Sequence, residues 1–258
     1  MSLIRALMLL LCLALMGNAS ADYDKEGKAI FKNLMTQHAD AFVRVSYVMV
    51  SSYMGQEETQ QSSTTGVIID PKGLILVPRM VVEPSLPNMS KLTPEQRVSF
   101  KMSARDFQIH FPGEDKPLEA EALTSDADQG VGWLKIKSLG ERKLKFVDIA
   151  ATEPAEPGMS YYVVERLEER YGEKPIMSWG IIQGQIDLPQ QAHIVTGALG
   201  LAFSARGKVL GYVSANFEGM GNDSFSMTGG LRMLLTPAKR LHSANLRAAS
   251  LLNEPAAP

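Results

Sequence analysis

Cysteine is almost absent from this sequence of 258 residues. Its single cysteine, Cys12, lies in an apolar segment near the N-terminus, so the rest of the chain can form no disulfide and offers no thiol. This excludes cysteine catalysis and metal sites built on cysteine. The folded part of the chain must therefore be stabilised by packing.

An excess of either charge and a long apolar segment are also missing. Lysine and arginine number 26 against 28 aspartate and glutamate residues, which gives a formal net charge of −2. A nucleic-acid-binding protein usually carries a basic surface, so we expect no nucleic-acid partner. The apolar run at 6–16 is shorter than the roughly 20 residues of a membrane span.

The N-terminus has the pattern of a secretory signal peptide. Arg5 precedes the apolar run 6–16, and small residues at 19–21 suit a signal peptidase. We expect residues 1–21 to be removed and the protein to be exported to a bacterial periplasm or secreted, with no membrane span in the mature chain. A lipoprotein anchored at Cys12 is a weaker alternative because the apolar run continues past that residue.

Short stretches rich in β-branched and aromatic residues alternate with turn residues along most of the chain. They lie at 42–50, 65–69, 74–77, 107–111, 119–123, 131–136, 160–164, 177–182, 193–195, 201–203 and 209–213. This pattern predicts an all-β sandwich or barrel. A Pro-Lys-Gly sequence after Asp70 predicts a hairpin turn, and the polar run 55–63 predicts a loop.

Helical patterns flank these strands and interrupt them once. Apolar residues at helical spacing predict an amphipathic helix within 22–40. A threonine followed by proline predicts the start of a C-terminal helix over 236–252. A similar capping pattern predicts a short helix in an insertion at about 84–105, and we expect the tail 253–258 to be disordered.

Six segments follow one another in an order that identifies a fold. They are TGVIID at 65–70, LILVPRMVV at 74–82, SDADQGVGWLKI at 125–136, PGMSYYV at 157–163, WGII at 179–182 and GALGLA at 197–202. In this order they resemble the motifs S-G-F-I-I-D, G-Y-I-L-T-N-x-H-V-V, S-D-x-x-x-D-I-A-L-L-K-I, V-G-x-x-V, T-x-G-I-V and G-N-S-G-G-A. These motifs belong to the protease domain of the HtrA (Deg) family of trypsin-like serine proteases.

The resemblance covers most of the chain after the leader and implies its domain organisation. Trypsin-like proteins consist of two six-stranded antiparallel β-barrels, here expected at 41–140 and 141–235. The predicted helices at 22–40 and 236–252 would precede and follow them. An unrelated β-sandwich is the alternative fold.

The resemblance also places the catalytic triad on side chains that cannot perform its chemistry. Met80 stands where the family has its histidine, Gly130 where it has its aspartate, and Leu199 where it has its serine. Leucine has no lone pair to attack a carbonyl, and neither other residue can take a proton. Gly197, Leu199 and Gly200 would still form a vestigial oxyanion loop. Met80 and Leu199 are apolar and flexible enough to fill the space of the lost side chains, and the sequence leaves undecided whether the cleft is open or filled.

Other candidate catalytic or metal-binding residues have structural explanations. The histidines do not follow a strand as the family's catalytic histidine does; they are His38, His110, His193 and His242. Hydroxyl groups near the loop lie outside the turn that would orient a nucleophile; they are Thr196, Ser204 and Ser224. Asp126 and Asp128 lack a nearby third ligand, so we expect no metal and no cofactor.

The sequence therefore predicts an exported, catalytically inactive trypsin-like protein that binds a protein or peptide as a scaffold, an inhibitor or a chaperone-like factor. An extended segment could add as a strand along the cleft. Two alternatives stay open. The chain could be an active serine endopeptidase with displaced catalytic residues, or a structural envelope protein whose cleft binds nothing.

Overall fold

The computed structural model describes residues 25–85, 100–188, 190–216 and 232–253. In these ranges no helix combines the length and apolar character needed to cross a membrane. Three predicted features lie outside the described residues: the leader at 1–21, the short helix in the insertion, and the tail beyond residue 253.

The first barrel is formed by six strands between residues 42 and 136. They are β1 (Phe42–Tyr53), β2 (Gln56–Asp70), β3 (Leu74–Pro78), β4 (Phe100–His110), β5 (Leu118–Asp126) and β6 (Val131–Ile136). Antiparallel pairing in the order β1-β2-β3-β6-β5-β4 closes the sheet. Gly73, with a φ of +88°, closes the turn predicted between β2 and β3.

The second barrel repeats this construction between residues 160 and 237. Its strands are β7 (Ser160–Arg166), β8 (Pro175–Ile186), β9 (Ala192–Thr196), β10 (Gly200–Phe203), β11 (Val209–Asn216) and β12 (Arg232–Pro237). They close in the order β10-β11-β12-β9-β8-β7. Two closed six-stranded antiparallel barrels are the trypsin-like architecture that the sequence predicts.

Three α-helices accompany the barrels in the described ranges. Helix α1 spans 25–38, the single turn α2 spans Arg79–Val82, and α3 spans Ala238–Ser250. His38 at the end of α1 stacks on Phe203 with ring centroids 4.5 Å apart, and its Nε2 lies 2.9 Å from the carbonyl oxygen of Gly207. Helix α1 is thereby attached to the second barrel.

Alternation along the strands divides the apolar side chains among three buried clusters. On β1, Val43 and Val45 point into the first barrel, whereas Phe42 points toward the second. The second barrel has its own interior around Tyr161 and Leu235. The third cluster lies between the barrels and under the helices, so burial of apolar surface holds the two barrels together.

From Gln56 onward, the polar run 55–63 is a strand and not the loop that we predicted. Met54 and Gly55, with φ values of 52° and 84°, form a two-residue turn with both central residues in the left-handed region. Beyond this turn, β2 pairs with β1 from Gln56 onward. The strand carries no apolar alternation because both faces of this hairpin are exposed near its tip.

Three predicted boundaries also need correction. Residues 100–105, which we assigned to the helical insertion, belong to β4 and pair with β1. The C-terminal helix starts at Ala238 because residues 236 and 237 still pair with β11. Asn253, which we assigned to the tail, lies in a 3-10 turn over Leu251–Asn253.

Candidate functional site

A cleft of about 1130 Å³ lies between the two barrels. Met80, Gly130 and Leu199 all line it, although they come from three separate segments of the chain. The cleft is also lined by residues of β2, β7 and β11, so it runs along the junction between the barrels. The described structure therefore brings the three sequence-predicted positions to one cavity.

Met80 is positioned by the short helix that follows β3. The backbone N–H of Arg79 donates to the carbonyl oxygen of Gly130 at 3.0 Å, which joins this helix to the second predicted position. The Arg79 guanidinium also forms an ion pair of 3.1 Å with Glu83. Hydrogen bonding from Ser125 is the main cause that lowers the pKa of the Glu83 carboxyl. Backbone and side-chain contacts thus both fix the Met80 segment.

Gly130 occupies a position where no other residue fits without rearrangement. Its φ is +67°, in the left-handed region. A Cβ atom built here would lie 2.7 Å from both Cβ and Oγ of Ser214 on β11. A side chain at this position would therefore require displacement of Ser214.

The two aspartates just before Gly130 form hydrogen bonds and an ion pair with residues outside the three predicted positions. Asp126 accepts hydrogen bonds from the backbone and side-chain nitrogens of Gln129 at 3.1 and 2.9 Å, and pairs with Arg247 at 3.3 Å. The backbone oxygen of Asp128 accepts a 2.7 Å hydrogen bond from Gln190. Within the described ranges no three His, Cys, Asp or Glu side chains cluster as metal ligands would.

The loop before β10 has a backbone shape that depends on glycine. Gly197 has a φ of +120°, and a Cβ there would lie 2.4 Å from the Cα of Gly180. Gly200 has a φ of +123°. The Tyr161 hydroxyl lies 2.8 Å from the carbonyl oxygen of Ala198, so it can donate a hydrogen bond to the loop. Burial raises the pKa of Tyr161 to about 12, which keeps this donor protonated.

The cleft is open, and Met80 and Leu199 do not fill it. The exposed fractions of these residues are 36% and 46%. The cavity of about 1130 Å³ remains with both side chains in place. The cleft lining also includes Leu201 and Val213, which are buried.

One strand presents an unpaired edge beside Leu199. β10 pairs with β11 only as far as Gly200 and Val213, whereas β12 continues to pair with β11 up to Asn216. Residues 214–216 therefore have no strand partner on the β10 side among the described residues. Ser214 and Ala215 line the cleft. An extended chain could form main-chain hydrogen bonds at this edge.

A serine and a histidine lie in hydrogen-bonding contact outside the cleft. The Oγ of Ser46 is 2.8 Å from Nε2 of His110, and Nη2 of Arg44 is 3.0 Å from Nδ1 of the same ring. Arginine can only donate, so Nδ1 must accept and the proton of the neutral ring must lie on Nε2. His110 therefore donates to Ser46.

This arrangement has the opposite polarity to a catalytic pair. In a triad, a carboxylate holds the proton on Nδ1 and leaves Nε2 free to accept from serine. Here burial, and after it the charge of Arg44, lower the pKa of His110. Glu173 and Glu169 contact Arg44 and not the ring. Sequence analysis missed the contact because Ser46 and His110 are 64 positions apart.

The other sequence candidates have structural contacts or lie away from the cleft lining. His193 is buried on β9, its Nδ1 has no partner among the described residues, and burial lowers its pKa. Ser204 is buried, and its hydroxyl accepts from the backbone N–H groups of Arg206 and Lys208, each at 3.3 Å. Ser224 lies outside the described residues.

The sequence matches no protein-family model and no curated protein. Among solved structures, the chain is similar to the MamO protease domain from Magnetospirillum magneticum in its apo form. The two are 15% identical, the similarity covers 82% of this chain and 98% of that chain, and the TM-score is 0.49.

Proposed function

We propose that this chain is an exported, catalytically inactive homologue of HtrA-type serine proteases whose inter-barrel cleft binds an extended polypeptide segment. The observation that carries the loss of catalysis is the backbone at Gly130. A side chain there would meet Ser214 at 2.7 Å, at a φ of +67° that residues other than glycine, asparagine and aspartate rarely adopt. The orienting carboxylate is therefore missing from the sequence, and Ser214 occupies space next to its position.

The other two positions support the same proposal. Met80 and Leu199 line the cleft with Gly130, and neither can take up a proton or attack a carbonyl carbon. Gly197 and Gly200 keep a loop conformation that could present backbone N–H groups. Such a loop can bind a carbonyl oxygen but cannot cleave the bond beside it.

Polypeptide binding is supported by the open strand edge and by the apolar surface around it. Residues 214–216 have no strand partner on the β10 side in the part of the chain that the structure describes, and the exposed Leu199 lines the same cleft. Strand addition combines main-chain hydrogen bonds with pockets for alternate side chains. We therefore propose a scaffold, an inhibitor or a chaperone-like factor that holds an extended segment.

Labelling with a fluorophosphonate probe distinguishes this proposal from an active serine endopeptidase with displaced catalytic residues. We expect no covalent adduct by intact-protein mass spectrometry. In the one Ser–His contact among the described residues, Nε2 of His110 carries the ring proton, so the histidine cannot accept the proton of Ser46. A Ser46→Ala variant is the matched control. An adduct on the wild-type protein that disappears in this variant would identify an active serine and refute the proposal.

Peptide binding distinguishes it from a structural protein with an empty cleft. Extended peptides would be selected on the mature chain from a displayed library, and their affinities measured by fluorescence anisotropy. We expect Leu199→Arg to weaken binding at least about tenfold, or about 1.4 kcal/mol. Leu246→Arg is the control because Leu246 is 58% exposed on α3, away from the cleft lining. Equal affinities in both variants would exclude the cleft.

Export is tested separately. Expression of the full chain in a Gram-negative host, followed by fractionation and N-terminal sequencing, should give a periplasmic protein that begins near Asp22. A cytoplasmic protein that retains residues 1–21 would contradict the export proposal without affecting the cleft.

A further inference from the structure

In the described part of the chain, charged side chains of both signs line the inter-barrel cleft. Three are cationic and three are anionic; they are Arg44, Arg79, Arg166, Asp128, Glu165 and Glu168. A cleft lined by unpaired groups of one sign attracts ligands of the opposite sign. The contacts of each side chain therefore decide which charge the cleft favours in a bound chain.

The arginines on β1 and β7 offer no accessible cation. The side chain of Arg44 is 11% exposed and forms ion pairs with Glu169 and Glu173. Arg166 is buried, and its guanidinium donates three hydrogen bonds of 2.7 Å to backbone carbonyl oxygens. The first arginine is neutralised by carboxylates and the second is enclosed by the protein, so neither is available to pair with a ligand.

Two further charges in the lining belong to ion pairs within the chain. Arg79 pairs with Glu83 at 3.1 Å. Glu168 pairs with Arg170 at 2.8 Å. Because each pair contains one charge of each sign, these side chains leave no net charge for a ligand to balance.

Asp128 and Glu165 differ from the other four because neither forms an ion pair with a described residue. Asp128 is exposed, and the hydrogen bond from Gln190 reaches its backbone oxygen and not its carboxylate. Glu165 accepts a 2.7 Å hydrogen bond from the hydroxyl of Ser178, which carries no charge. The unbalanced charge of the described cleft lining is therefore negative.

The two unbalanced carboxylates come from different barrels. Asp128 lies in the first barrel, in the turn between β5 and β6. Glu165 lies on β7, two residues after Val163, whose Cγ1 would be 3.1 Å from a Cβ at Gly200. Glu165 thus belongs to the strand beside the loop at 197–200. A chain that lies in the cleft can meet one carboxylate from each barrel.

We propose, building on the polypeptide binding proposed above, that the cleft prefers extended segments that carry lysine or arginine beside apolar residues. The apolar side chains of the segment contact Met80 and Leu199, which are exposed in the cleft. Its basic side chains pair with Asp128 and Glu165. Lysine and arginine suit this role because their apolar stems can lie along apolar surface while their charged ends reach a carboxylate. Acidic segments are disfavoured, because they bring like charges together.

Peptide selection on the mature chain tests this charge preference. One displayed library would be selected on the wild type and on the Asp128→Asn/Glu165→Gln double variant. We expect lysine and arginine to be enriched and aspartate and glutamate depleted in the wild-type selection, and the enrichment to be lost in the double variant. The matched control is Asp115→Asn/Glu156→Gln, which removes one exposed carboxylate from each barrel outside the cleft lining. This control should keep the enrichment.

Fluorescence anisotropy gives the size of the effect. The probes are a labelled peptide from the wild-type selection and its copy with every lysine and arginine replaced by glutamine. We expect the wild type to bind the basic peptide about fivefold more tightly than the copy, as two exposed ion pairs allow. The double variant should bind both alike, and added salt should reduce the preference of the wild type.

The failure of this inference can be told apart from the failure of cleft binding itself. Peptides whose binding depends on Leu199 but that show no basic enrichment, or an acidic one, would overturn the charge preference and leave cleft binding intact. An equal loss of the preference in the Asp115→Asn/Glu156→Gln control would show that the overall charge of the chain, and not its cleft, selects basic peptides. If no peptide is selected, the proposed function fails and the inference with it.

Discussion

Two regions of this molecule each have some of the features of a serine protease site. The loop at 197–200 has a glycine-dependent backbone and carries Leu199 where we propose that the nucleophile of related enzymes lies. Ser46 and His110 have reactive side chains in contact, but Arg44 holds the ring in the wrong tautomer. One region has the scaffold without the nucleophile, and the other has a nucleophile without a base.

The difference shows what catalysis by serine requires from its surroundings. A hydroxyl becomes a nucleophile only when an adjacent base can take its proton, and the group behind the base decides whether it can. Side-chain identity alone is therefore insufficient evidence for activity. Four substitutions or titrations test the loop, Gly130 and the Ser46–His110 contact, and they are given from the largest expected effect to the smallest.

Gly197→Ala should cause the largest loss. The new Cβ would lie 2.4 Å from the Cα of Gly180 and 2.5 Å from the carbonyl oxygen of Trp179, with a φ of +120°. Backbone atoms cannot move aside cheaply, so we expect the free energy of unfolding to fall by about 3 kcal/mol or more. Urea denaturation measures it. Gly184→Ala is the control because nothing lies within 4 Å of its Cβ; equal losses would contradict the steric argument.

Gly130→Asp, which introduces an aspartate where we propose that the triad aspartate of related enzymes lies, should destabilise the protein by about 2 kcal/mol or more. Strain at φ +67° and the contact with Ser214 both contribute. Combined with Met80→His and Leu199→Ser it should still give no peptide hydrolysis.

A double-mutant cycle with Ser214→Gly separates the two causes of that loss. Removing the Ser214 side chain should recover the steric part in Gly130→Ala and leave the backbone strain. If Gly130→Ala is as stable as the wild type on its own, Gly130 is not sterically restricted and the main support for the inactive assignment is lost.

The fold was predictable because local signals agreed with the global architecture. The turn after Asp70 has the residues that a hairpin turn favours, and the strands beside it have recognisable apolar patterns. Both signals can be read from one sequence. The outer half of β2 was missed because its residues bury nothing, so pairing with β1 and not burial makes it a strand. An exposed polar strand has the same composition as a loop.

The candidate site was predictable only in part, for a similar reason. Motif order placed Met80, Gly130 and Leu199 on one cleft, since each follows or precedes a strand with a recognisable pattern. The contact between Gly130 and Ser214, and the openness of the cleft, depend on how two barrels pack. Such contacts join residues far apart in the chain and leave no local pattern.

Tyr161→Phe tests whether hydrogen bonds from the Tyr161 hydroxyl stabilise the loop at 197–200. The phenol hydroxyl reaches the carbonyl oxygens of Ala198 at 2.8 Å and Thr196 at 3.2 Å. Its loss should lower the free energy of unfolding by about 1 kcal/mol and increase amide hydrogen exchange in the loop. Tyr171→Phe, at an exposed ring, is the control. If both variants behave alike, the hydroxyl does not support the loop.

The smallest expected effect is the pH dependence that His110 gives to stability. Its folded pKa is below its unfolded value of about 6.5, so the folded state binds fewer protons. The contribution is complete above that value and is lost as the pH falls through it toward the folded pKa. Arg44 and Ser46 face the ring, and Glu169 and Glu173 face Arg44.

His110→Gln should therefore lose stability less steeply than the wild type between neutral and mildly acidic pH, as measured by chemical denaturation at each pH. His38 and His193 also have lowered pKa values because of burial, but they titrate in both proteins and cancel in the difference. A steeper loss in the variant would mean that the charged ring is favoured in the folded state. That result would contradict the assignment of Nδ1 of His110 as an acceptor from Arg44.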